Sequence, residues 1–182
     1  DRGEIELLGL PLASQEARIK SRVGFVSPEL DYSAWGTVGR AIDFVRGFYP
    51  DWVQSRTERL QMLLGVHRAE RIAELSFGQR TKLALILALS RDCEMLILDE
   101  PTVGLDPVSK RAIFVELLHF MEQESRTILI SSHQLADIER FADHVAVLNH
   151  GKLLAASRID ELLDRYRLVE VSTEGALEQG VE

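Results

Sequence analysis

Three groups of residues in this sequence have types and spacings that could do chemistry. Asp99 and Glu100 are adjacent carboxylates closing the apolar run Met95-Leu96-Ile97-Leu98. In open α/β sheets the carboxyl ends of parallel strands line the ligand crevice, so two carboxylates there are set to hold Mg2+ and to activate water. Taken alone, the pair is equally well explained as a solvated strand end before the turn at Pro101. The second group is Leu75-Ser76-Phe77-Gly78-Gln79-Arg80. Ser76 and Gln79 match the S-x-x-Q capping box, in which each side chain satisfies an orphan amide at a helix start. Arg80 and Lys82 fall in the first turn of the expected helix, where the macrodipole disfavours cations. A bound anion would reverse that preference, and Gly78 would let a phosphate approach the exposed amides. The third group is His133, after Ser131-Ser132 at the end of a further apolar run, placed to donate to a phosphate oxygen or orient a water. A lone histidine is more often structural, but His67, His119, His144 and His150 lack even this setting.

The elements that must position these groups alternate between short apolar runs and longer amphipathic stretches, which argues for an α/β fold with parallel strands covered by helices. Strands are expected at 5–8, 23–26, 95–98 and 127–130, the last two buried. The spacing predicts a small helix over 14–20, a helix capped by Thr37 and running to Val45, and another over 51–64. A helix over 79–90 is apolar on every side between Leu83 and Leu89, so it must be buried. Asp106-Pro107 reads as an N-cap followed by proline at the first helical position. A helix over 134–141 follows, then a hairpin around Asn149-His150-Gly151, a helix over 159–166 and a strand over 168–171. Periodicity is lost from Ser172 onward.

The 182 residues carry 21 Lys+Arg against 29 Asp+Glu, a formal net charge of −8, with a mean hydropathy of −0.03. An acidic total argues against nucleic acid as a partner. The one cysteine, Cys93, can form neither an internal disulfide nor a zinc site by itself. No apolar run approaches the roughly 18 residues that span a bilayer.

The order Leu75-Ser76-Phe77-Gly78-Gln79, then Met95 through Asp99-Glu100-Pro101, then Gly104-Leu105-Asp106-Pro107, then Ser132-His133 closely resembles the nucleotide-binding domain of ABC transporters. These segments are similar, in turn, to the family's signature motif, Walker B strand with catalytic glutamate, D-loop and switch histidine. The resemblance implies a P-loop NTPase-like α/β sheet over 1–163, incomplete at its N-terminus, with a helical signature subdomain at about 30–90 and an extension or linker over 164–182. It implies an ATPase that uses ATP and Mg2+ on the cytoplasmic face of a bacterial membrane, powering a separate transmembrane permease subunit, in an exporter by preference. Two such domains would pair, as homodimer or heterodimer. Ser76, Gly78 and Gln79 would then contact the γ-phosphate held by the partner, and Asp99 would hold Mg2+. Glu100 would polarise the attacking water, His133 would stabilise the transferring phosphoryl group, and Asp106 would couple the two sites.

Two departures qualify the resemblance. A P-loop reads G-x-x-x-x-G-K-[ST]. Of the four lysines only Lys152 follows a glycine, and Ala146 and Leu153 occupy the positions that the motif requires to be Gly and Ser or Thr. The expectation is a chain cut just after the family's Walker A, lacking its own main ATP site and the aromatic that stacks on adenine. Loss of that segment should leave apolar faces of the sheet open. Secondly, where the family carries a glutamine after the strand Val23-Gly24-Phe25-Val26, this chain has Ser27-Pro28-Glu29. Glu29, one place later, is the candidate for that role, since some exporter-type relatives carry an acidic residue nearby. The competing readings are a soluble ABC-type ATPase without a membrane partner, and a non-catalytic interaction module touching a membrane subunit around 31–52.

Overall fold

The computed structural model describes residues 3–123, 125–134, 139 and 141–165. Two units group by their internal contacts, Asp1–Leu135 and Ala136–Glu182. The first begins with a hairpin, β1 (Glu6–Leu7) and β2 (Leu10–Pro11), where a single strand over 5–8 was expected. Leu8 and Gly9 both have positive φ, 54° and 72°, which is the backbone of a type I′ turn and reverses the chain. Helix α1 (Leu12–Arg22) follows, longer than its apolar spacing suggested.

Strands β3 (Val23–Val26), β4 (Met95–Asp99) and β5 (Thr127–Ser131) form a parallel sheet in the order β3-β4-β5. Successive side chains alternate between its faces. On one face Val26, Leu96 and Leu98 are buried, and α4 (Phe77–Leu89) packs against β3. On the other, Ile19 of α1 makes a small core with Val23 and Met95, joined by leucines of the hairpin. Further along that face the register aligns Phe25, Ile97 and Leu129 in one row, and Phe25 and Leu129 are 50% and 55% exposed. The expectation that β4 and β5 are both fully buried therefore needs correction. Met95, Leu96 and Leu98 are buried and Ile97 partly so, but β5 is the outer strand of this sheet and three of its five residues are exposed.

Between β3 and β4 lie α2 (Val38–Arg46), α3 (Gln54–Leu64) and α4. Thr37 caps α2, its hydroxyl accepting the Arg40 N–H. Helix α3 starts three residues later than its pattern predicts, because residues 51–53 pair with the chain after α4. Val53 N donates to Ser90 O at 2.7 Å, Asp92 N donates to Asp51 O, and Trp52 bridges Arg91. Helix α3 ends at Gly65 in the left-handed conformation, φ 64°. Every residue of α4 from Leu83 to Leu89 is buried, as its all-round apolarity requires.

Arginines tie these helices to the sheet. Arg56 donates to the carbonyls of Leu89 and Arg91 at the end of α4. The buried Arg91 donates to Lys20, Ser21 and Val23 carbonyls, closing the end of α1. Helix α5 (Pro107–Met121) is joined to α3 by Arg59, whose guanidinium forks onto both oxygens of the buried Glu116 carboxylate.

In the second unit β6 (His144–Asn149) and β7 (Lys152–Arg158) form the expected hairpin, turning through His150 and Gly151, both at positive φ. Helix α6 (Ile159–Arg165) follows. The expected helix over 134–141 falls mostly outside the described residues, as do the strand over 168–171 and the stretch from 172. Among the described residues no helix is long and apolar enough to cross a membrane.

Candidate functional site

The parallel register brings the ends of β3, β4 and β5 level, so that Ser27, Asp99 and Ser131 follow three paired apolar runs. Asp99 sits between two hydroxyls. Ser131 Oγ donates to its Oδ1 at 2.6 Å and Ser27 Oγ to its Oδ2 at 3.4 Å. Each serine also accepts a backbone amide, Ser131 from Glu100 N at 3.0 Å and Ser27 from Glu29 N at 3.4 Å. Glu100 has φ 45°, a left-handed conformation uncommon outside glycine and kept only where the surroundings fix it. Its Oε2 lies 2.9 Å from His133 Nδ1. Sheet order thus gathers His133 with the adjacent Asp99 and Glu100, although it stands 33 residues from Glu100 in sequence. Glu29 joins them by lining, with Ser27, Phe77, Arg80, Asp99 and Glu100, a cleft of about 260 Å³.

The lining is mixed, with the oxygens of Ser27, Glu29, Asp99 and Glu100 beside the Arg80 guanidinium and the apolar Val26, Leu30 and Phe77. Mg2+ is commonly held by one or two carboxylates with water and substrate phosphate. Among the described residues no three His, Cys, Asp or Glu side chains converge to hold a metal without such help.

From Glu100 the chain runs through two turns, with Val103 N donating to Glu100 O and Leu105 N to Thr102 O, and reaches Asp106. Asp106 caps α5 by accepting Ser109 N at 2.8 Å and Ser109 Oγ at 2.6 Å, and it also accepts Lys82 Nζ at 3.2 Å. The Ser109 bonds, then the Lys82 ammonium, hold its carboxyl well below the usual carboxylate range.

At the start of α4 the capping box is complete. Gln79 N donates to Ser76 Oγ at 3.3 Å and Ser76 N to Gln79 Oε1 at 2.9 Å. The helix opens at Phe77, two residues earlier than its pattern suggested, so Arg80 and Lys82 are its fourth and sixth residues. Lys82 is balanced by Asp106, which supplies a local reason for one of the two cations. Gly78 is pressed against the loop after β4, where an added Cβ would lie 2.2 Å from Gly104 O. Phe77 lies against Gly104 on the same side and is half exposed toward the cleft.

The structure therefore groups the predicted residues in two neighbouring sets. Asp99, Glu100, His133 and Glu29 surround the sheet edge, whereas Ser76, Gly78 and Gln79 form the α4 turn, which the Gly78–Gly104 contact and the Lys82–Asp106 pair join to the loop after β4. Sequence reasoning missed Ser27 and Ser131 as partners of Asp99 and Lys82 as partner of Asp106. A signal for the serines existed: each of the three apolar runs stops at a small polar or acidic residue.

A family model described as "AAA domain, putative AbiEii toxin, Type IV TA system" matches residues 61–136. Among curated relatives, the Nod factor export ATP-binding protein I of Rhizobium sp. (strain N33) is 30% identical over 91% of this chain and 56% of its own length. Its counterpart from Rhizobium meliloti (strain 1021) is 34% identical over 89% and 50% respectively. The ABC transporter ATP-binding protein YtrB of Bacillus subtilis (strain 168) is 24% identical over 94% and 59%. The chain spans about half the length of these relatives. Among solved structures, an ATP-binding subunit of an ABC transporter superposes with a TM-score of 0.78 at 23% identity, covering 90% of this chain and 70% of that one. An ATP-binding cassette in a dimeric post-hydrolysis state with ADP and Pi superposes with a TM-score of 0.73 at 17% identity, covering 87% and 74%. At these identities the likeness is one of fold.

Proposed function

The chain is a relative of ABC transporter ATP-binding proteins and carries the α/β fold of their ATPase domains, and from that premise we propose that it is the hydrolytic part of a transporter ATPase that converts ATP and water to ADP and phosphate. The observation that carries this reading is the Glu100–His133 pair beside Asp99 at the strand ends, with Asp99 held by two hydroxyls. Glu100 orients the attacking water and takes up its proton. His133 fixes the direction of the carboxylate through Nδ1, 2.9 Å from Glu100 Oε2, and with both ring nitrogens protonated it also donates through Nε2 to the transferring phosphoryl group. Mg2+ would supply charge neutralisation on the phosphate oxygens, and Asp99 and Glu29 are the residues that would hold it. Such transfer is carried by positioning and electrostatics, with little covalent work for the protein.

Ser76, Gly78 and Gln79 bind the γ-phosphate of an ATP held mainly by a second nucleotide-binding subunit. A helix start favours an anion through its free amides and its dipole. Asp106 links the two sites, since the same loop carries Glu100 at one end and Asp106 at the other. The membrane partner is a permease that docks on the segment 31–52. Tyr32, Trp35, Phe44 and Phe48 pack there in series with ring centroids 5.0–5.4 Å apart, the first two pairs tilted and the last edge-to-face, and the last two rings are exposed. The working direction is export, as the names of several relatives suggest. Glu100→Gln in the protein at the full length its gene encodes tests the reading. ATP binding should persist while steady-state turnover falls by about 10²–10⁴-fold; ordinary turnover in that variant would refute the assignment.

A further inference from the structure

Asp99 is the hub of a hydrogen-bond pattern with an internal likeness. From each neighbouring strand comes one serine, and each serine does two things. It donates to one oxygen of Asp99, and it accepts the backbone amide of a glutamate that opens the next loop. Ser131 joins Asp99 Oδ1 at 2.6 Å to Glu100 N at 3.0 Å, while Ser27 joins Asp99 Oδ2 at 3.4 Å to Glu29 N at 3.4 Å. A hydroxyl has one proton to give and lone pairs to receive, so both bonds at each serine can form together. The Ser131 link is the tighter of the two and ends on the residue with the strained backbone, Glu100 at φ 45°. A left-handed non-glycine residue reverts to ordinary backbone unless its surroundings over-determine it. Pro101, which follows, has no N–H to contribute, so the Glu100 amide is the local backbone donor available for that restraint.

We infer that Ser131 is a positioning residue that yokes the Glu100 backbone to the Asp99 carboxylate, and that Ser27 is its weaker counterpart for Glu29. This rests on the hydrolytic reading of Glu100 and extends it to two serines to which the resemblance gave no role. The yoke makes the aim of Glu100 depend on Asp99. Anything that reorients the Asp99 carboxylate is passed through one hydroxyl to the backbone that carries the catalytic side chain. Neither serine needs to touch the nucleotide for this.

The test compares Ser131→Ala, Ser131→Thr and Ser27→Ala in the full-length protein, reading kcat, KM for ATP and amide hydrogen exchange at Glu100. Ser131→Ala removes both bonds to charged or strained partners and should lower kcat by about tenfold or more with KM for ATP within about twofold. Ser131→Thr keeps the hydroxyl on a residue suited to a strand and should stay within about threefold of wild type. Ser27→Ala should cost less than Ser131→Ala. The Glu100 amide should exchange faster in Ser131→Ala while the Leu96 and Leu98 amides do not, a local response that general destabilisation would not give. Wild-type kcat in Ser131→Ala, equal losses in the alanine and threonine variants, or an unchanged Glu100 amide would each overturn the inference. Should the wild type cleave no ATP, the hydrolytic reading falls by itself. The exchange measurement then still decides the yoke, which accelerated exchange upholds and unchanged exchange overturns.

Discussion

The strand ends and the first turn of α4 are both built from short polar side chains, yet their hydrogen bonds run in different directions. At the strand ends Ser27, Ser131 and His133 reach across strands to Asp99 and Glu100. At the helix start Ser76 and Gln79 turn back on their own backbone and satisfy each other. The first region is therefore an assembled centre whose geometry depends on tertiary structure. The second is a local cap at a helix start, whose Gly78 is closed in by Gly104 of the loop after β4. On the proposed reading, chemistry belongs to the first region and recognition of charge to the second.

That contrast can be broken most severely at His133. His133→Ala should lower turnover by about 10²-fold or more, the scale for loss of one donor to a developing oxyanion. Its urea midpoint should stay near wild type, because the side chain is exposed. A variant with normal turnover would dissolve the distinction between the regions. Next in size is the seam between them. Gly78→Ala would drive a Cβ to 2.2 Å from Gly104 O, both of them backbone-bound positions, and overpacking of that kind costs about 1–3 kcal/mol. Urea denaturation should show that loss; none would mean that the loop after β4 and α4 are not joined as described.

Ser76 separates the two roles of the helix start. Ser76→Ala should lose about 1 kcal/mol of stability, while Ser76→Asp should keep the cap and repel a phosphate. Calorimetry and ATP turnover together should therefore show stability restored in Ser76→Asp without recovery of activity. The smallest effect expected is at Asp106. Its folded-state affinity for a proton is reduced, so the ionised form stabilises the fold above the ordinary carboxylate range. That contribution is lost as pH falls through the depressed value. The gap in urea midpoint between wild type and Asp106→Asn should be full at about pH 6 and shrink below about pH 4; a gap that widens in acid would reverse the sign.

What the sequence disclosed divides along the same line. The Ser76–Gln79 box, the Asp106-Pro107 start and the turn at His150-Gly151 are local patterns and were legible. The carboxylate pair of Asp99 and Glu100 was legible because it ends an apolar run. Their serine partners were not, because Ser27 and Ser131 stand 72 and 32 residues from Asp99 and meet it only through strand register. An open apolar sheet face was expected, but that Phe25 and Leu129 lie on it depends on strand order and register, which local pattern does not carry. Helix α3 began late because pairing with Ser90 and Arg91 claimed residues that its local pattern gave to the helix.

The central claim, that the sheet edge around Asp99, Glu100 and His133 is a hydrolytic centre, meets its most direct test in phosphate release from ATP by the full-length wild-type protein, measured with and without Mg2+. Release that requires Mg2+ and saturates with ATP is the predicted result. Tight binding of MgATP with no release of phosphate would contradict it.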